Sequence, residues 1–220
     1  MGGPGASILG MSDDVAPEPG IRGLSAERTK AFVDAVVAIA MTLLILPLME
    51  SVGESAGHDH TTWEWLVDQR DQLQSFLISF VLIAMFWMLH HRLFVSVQRI
   101  TPGLMWITVA WMLTIVWMPV VTALTGQVAD DALQKVLYIG TLVVTSALLL
   151  VTRVYLARHP DLHRASRDDL RLGMSIDLSM IVLFLVALAI ALLFPAVGYL
   201  GLFIMFLTGT VQKLMARMLR

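Results

Sequence analysis

Cysteine is absent from the whole 220-residue chain. Its absence excludes disulfides, thiolate metal ligands and cysteine nucleophiles, and leaves the redox compartment open. Charge is scarce as well: 15% of residues are charged and the net charge is −2. So small a balance gives no basic excess for nucleic acid, and none is expected as a partner. No nucleophile with a nearby base stands out, so neither an enzyme nor a cofactor is expected. His58-Asp59-His60 supplies two loop histidines without the further ligands a metal needs. Residues 1–24 lack the basic start and adjoining apolar stretch of a secretory signal. They carry Asp13, Asp14 and Glu18, and read as a disordered cytoplasmic tail ahead of one membrane domain over 25–220.

Apolar residues are what the chain has in quantity, 57% of the sequence, with a mean hydropathy of +0.77. Lipid is therefore the expected solvent. Hydrocarbon about 30 Å thick needs roughly 20 apolar helical residues to cross it. Six such windows run near 27–50, 73–97, 102–125, 132–157, 170–193 and 196–216. The expected fold is an all-α, multi-pass membrane protein with six spans. Of the 15 Lys and Arg residues, only Arg70 and Lys135 fall on the side opposite the termini. The positive-inside rule then places both termini in the cytoplasm and the chain in the cell membrane.

Ionisable groups inside spans are costly and mark either obligatory pairing or function. Arg28 and Asp34 lie near the inner end of the first helix, His90, His91 and Arg92 near that of the second, Arg153 near that of the fourth, and Asp177 near that of the fifth. Asp34, His90 and Asp177 thus share one depth and are expected to form an inter-helix polar cluster. Such a cluster either fixes packing or serves as a proton relay, the latter reading making the chain a proton-coupled transporter. On a helical wheel Ile39, Leu43, Leu46 and Glu50 form one stripe, with Thr42 beside it and Asp34 roughly opposite. That stripe fits lipid contact, bundle packing or a pore wall. Pro47 has no N–H, which frees the carbonyl of Leu43 for a neighbour, a water or an ion, or else simply kinks the helix.

The run from Arg28 through Phe32, Val33 and Asp34 to Ile39, Thr42, Leu43 and Leu46 resembles the R-x-x-x-F-S-D signature and following apolar stretch of the endosomal/lysosomal potassium channel family, transmembrane protein 175. Phe86-Trp87 with His90-His91 resembles the family's second-helix segment, and Trp117-Met118-Pro119 falls where the family has a proline. Val33 departs from the signature, which has serine there. The resemblance implies a homotetramer in the bilayer, with the first helix of each subunit lining a central pore that passes potassium in preference to sodium. It places the constriction at Ile39, Leu43 and Leu46, with Thr42 as an adjacent hydroxyl layer. It places Arg28, Phe32, Asp34, Trp87, His90 and His91 in a supporting polar network, which Asp177 is expected to join by its depth. No TVGYG-like filter is present. Selectivity would then come from an apolar neck that favours the cation cheaper to dehydrate. Glu50, further out on the stripe, points either to the outer mouth or to lipid headgroups.

Overall fold

The computed structural model describes residues 26–55, 61–127 and 131–194. The predicted tail, the predicted sixth span over 196–216 and the histidines at 58 and 60 lie outside the described residues. The long helices are α1 (Ala26–Leu43), α4 (Arg70–Val95), α5 (Pro102–Gln127), α6 (Ala132–Arg158) and α7 (Arg167–Leu193). Between α1 and α4 come the shorter α2 (Leu46–Ser55) and α3 (Thr62–Asp68). Among the described residues five stretches are long and apolar enough to cross a membrane: Ala26–Gly53, which joins α1 to α2, and the four helices from α4 onward. At 1.5 Å per residue, the 26 residues of α4 extend about 39 Å, ample for the hydrocarbon.

Sequence explains where these helices start. Pro102 opens α5, in the first turn where its missing N–H costs nothing. Asp131 and Gln134 form a reciprocal capping box at α6, Asp131 accepting from the Gln134 N–H at 2.7 Å. Ser166 caps α7 by accepting from the Asp169 N–H at 3.0 Å.

The first span differs from its prediction. The sequence predicts one helix over 27–50; the chain instead breaks at Leu44-Ile45, between α1 and α2. Pro47 is the cause, because it cannot donate to the carbonyl one turn back. Pro119 breaks nothing: α5 runs through it.

The helices pack in series, α4 on α5, α5 on α6 and α6 on α7, while α1 lies against α4 and α5. One apolar core runs through the bundle, with Phe86, Trp111, Ile115, Tyr138 and Leu142 fully buried. Phe86 of α4 stacks on Phe184 of α7 with centroids 6.1 Å apart. Lipid supplies little hydrophobic drive between helices, so hydroxyl contacts help fix the packing. Thr122 of α5 donates to the Ser79 hydroxyl at 2.8 Å, and Ser79 of α4 pairs with the Tyr138 hydroxyl of α6 at 2.9 Å. Thr145 of α6 donates to Thr114 of α5 at 2.9 Å.

At one end of the bundle two loops pair. The Gln98 N–H donates to the Leu162 carbonyl at 2.9 Å and the Arg164 N–H to the Ser96 carbonyl at 2.9 Å. Lys30 reaches the same loop, its Nζ donating to the Val97 carbonyl at 3.2 Å. The start of α1 and the two loops therefore share one end, which is also where Arg92, Arg99, Arg158 and Arg164 cluster.

Candidate functional site

The first helix has two unlike faces. Ala26, Thr29, Val33, Val37 and Ala40 are buried against the bundle, and the row continues past the break through Leu44 and Leu48. On the other side Ile39 is 59% exposed, Leu43 38% and Leu46 49%. Thr42 and Glu50 are exposed with them. The stripe read from the wheel is thus a face of α1 and α2 that the other described residues leave uncovered. Thr42 points its hydroxyl back along the helix, donating to the Ile39 carbonyl at 2.8 Å. Phe32 is also exposed, at 61%.

Val33, where the signature has serine, is 1% exposed and sits in the apolar core. Its methyls fill space between α1 and the bundle, a position where valine packs without needing a polar partner.

The expected Asp34, His90 and Asp177 cluster does not form; the three residues go to three separate places. Asp34 accepts from the Trp87 indole N–H at 2.7 Å, and His91 Nδ1 lies 3.9 Å from the same oxygen. Both partners come from α4. His90 precedes His91, about 100° away around the helix, and so turns toward α5, not α1. There it is buried between the rings of Phe94 and Trp111, at centroid distances of 4.1 and 4.2 Å. Asp177 is fully buried between α6 and α7 and accepts from Arg153 Nε at 2.6 Å. Gly173 makes that pairing possible, since a Cβ there would collide with the Arg153 guanidinium.

Arg153 and Lys30 are the residues that the sequence reading left out of the site. A signal for Arg153 did exist: it is a lone cation inside one span, followed by a lone carboxylate inside the next. For Lys30 there was none, because its partner is a backbone carbonyl. Among the described residues no group of three or more His, Cys, Asp or Glu is placed to hold a metal ion.

These features define a multi-pass helical membrane protein whose first helix is pinned to the second span by a carboxylate and carries a free apolar face. The sequence model of the family "Endosomal/lysosomal potassium channel TMEM175" matches residues 28–119, from the start of that helix to Pro119. Over that segment the chain is similar to the TMEM175 family, which is a family of ion channels and not of enzymes. It is 31% identical over 100 residues to a protein of Streptomyces collinus named a potassium channel, covering 46% of this chain and 47% of that one. It is 32% identical over 116 residues to a chicken protein named endosomal/lysosomal proton channel TMEM175, covering 50% of this chain and 23% of the other. The chain thus spans about half the length of the bacterial relatives it matches. The fold matches the crystal structure of a lysosomal potassium-selective channel TMEM175 homolog from Chamaesiphon minutus, with a TM-score of 0.65 and 22% identity over 86% of this chain and 96% of that one.

Proposed function

We propose that four copies of this chain form a potassium-preferring cation channel in the cell membrane, with α1 of each copy lining the central pore and the termini in the cytoplasm. The carrying observation is the exposed row Ile39, Leu43 and Leu46 on the helix that bears the family match. One chain cannot encircle an axis with a single helix, so the pore requires a cyclic assembly. Four isoleucine and leucine side chains meeting on that axis form an apolar neck that closes by dewetting. When open, the neck favours potassium, which sheds water more easily than sodium. Glu50 then rims the outer mouth with carboxylates that concentrate cations. Sixth spans over 196–216 complete the subunits. Potassium is the permeant, with no cofactor.

The polar pairs are structural in this reading. Trp87 and His91 hold Asp34, and Arg153 holds Asp177, so α1 is anchored on its inner half while its pore face stays apolar. The proton-coupled alternative loses its basis, since Asp34, His90 and Asp177 do not meet. A proton flux through the same neck is a separate matter, favoured by the chicken and zebrafish relatives being named proton channels. Native mass measurement in detergent tests the assembly. A tetramer is expected, and a monomer contradicts the pore.

A further inference from the structure

At the break between α1 and α2 the backbone loses helical hydrogen bonds inside the membrane. Two backbone bonds bridge the break, from the Ile45 N–H to the Thr42 carbonyl at 3.3 Å and from the Met49 N–H to the Ile45 carbonyl at 3.0 Å. Neither uses the carbonyl of Leu43. Its helical donor would be the N–H of residue 47, and Pro47 has none. The nearby Thr42 hydroxyl gives its proton to Ile39 instead. Eighteen residues of α1 precede the break, which puts it about 27 Å along a span of about 42 Å, still within the hydrocarbon.

A backbone carbonyl without a donor is not tolerated against lipid. It survives at membrane depth only where protein buries it or where it lines a water-filled cavity. Among the described residues Leu43 is 38% exposed between Ile39 at 59% and Leu46 at 49%, so the break lies on the side of the span that they leave uncovered. Carbonyls also point toward a helix C-terminus, here away from the Ile39 level and toward the outer mouth.

We infer that the Leu43 carbonyls, one from each subunit, form an oxygen-lined site for a partly dehydrated monovalent cation just outside the Ile39 level of the neck. This inference rests on the tetrameric channel reading. It gives the neck a place where an ion replaces some hydration water with protein oxygen before crossing the apolar layer. It also gives Pro47 a role beyond bending the helix, namely withholding an N–H from the carbonyl that the ion uses.

Two variants separate those roles. Pro47→Ala restores the N–H and lets Leu43 close its helical bond. The α-hydroxy acid counterpart of alanine at position 47 has the same side chain but an ester oxygen in place of the N–H. Unitary currents of each tetramer are recorded in planar bilayers over a series of potassium chloride concentrations, and then in potassium chloride against sodium chloride. For Pro47→Ala the half-saturating potassium concentration should rise roughly three- to tenfold, as for loss of one hydrogen-bond-sized interaction, and the potassium preference should shrink. The ester protein should keep the wild-type values. Wild-type saturation in Pro47→Ala overturns the site, as does an ester protein that shifts as far as Pro47→Ala. If Pro47→Ala fails to assemble, the ester protein decides alone: wild-type saturation supports the site and a shifted value overturns it. Failure of the channel reading looks different, because the wild-type protein itself then shows no unitary current.

Discussion

The indole N–H of Trp87 donates to Asp34 at 2.7 Å, and this bond joins the first helix to the second span. The carboxylate is partly open to its surroundings, with 42% of its side chain exposed, so screening limits what the bond contributes. Trp87→Phe keeps a ring in place and deletes the donor. It should lower stability by about 1–2 kcal/mol, the range for a hydrogen bond to a charged acceptor at a half-exposed site. Thermal unfolding in detergent checks this, and an unchanged midpoint would show that Asp34 does not hold α1.

Arg153 and Asp177 should behave differently, because their side chains are only 10% and 0% exposed. Arg153→Met leaves Asp177 buried without its counter-ion, which should destabilise the bundle by about 3–5 kcal/mol. The double variant Arg153→Met with Asp177→Leu should recover most of that loss, since two well-packed apolar residues replace a buried pair at little cost. Unfolding midpoints of the single and double variants decide the point. A double variant no more stable than the single one counts against it.

Val33→Ser tests the one departure from the family signature. Thr29, one turn earlier on the same buried face, has a hydroxyl with no hydrogen-bond partner among the described residues. A serine hydroxyl at 33 has that group, or the Thr29 carbonyl, within reach of the preceding turn. Lost methyl burial is then partly offset, and the change in stability should stay within about 1 kcal/mol. Unitary conductance should not move, because Val33 faces the bundle and not the free side. A Val33→Ser protein with altered permeation would place that residue in the conduction path.

Much of this architecture is legible in the sequence because hydrocarbon thickness sets helix length, and runs of that length are easy to find. The windows near 102–125 and 132–157 fall within helices α5 and α6. That Ile39, Leu43 and Leu46 share one stripe follows from periodicity alone, whereas their exposure among the described residues does not. Which polar groups meet does not follow, because depth gives only one of the three coordinates. Asp34, His90 and Asp177 share a level, yet the rotation of each helix sends them to α4, to an aromatic stack on α5 and to Arg153. Pro47 and Pro119 make the same point about backbone. Both lie inside apolar windows, yet only the first ends a helix, and no local signal separates them. Val97 and His163 pair across 66 positions of sequence through two short loops whose composition shows nothing of it.

The central claim is that the free face of α1 forms the neck through which cations pass. It is tested most directly by single-channel recording of Ile39→Ser beside Leu178→Ser, which alters a comparably exposed apolar residue on α7, 52% against 59%. A hydroxyl at the neck should ease wetting, so Ile39→Ser should raise unitary current and move the reversal potential under opposed potassium and sodium toward zero. Leu178→Ser should keep wild-type current and selectivity. Unchanged currents in Ile39→Ser, or equal changes in both variants, would contradict the account.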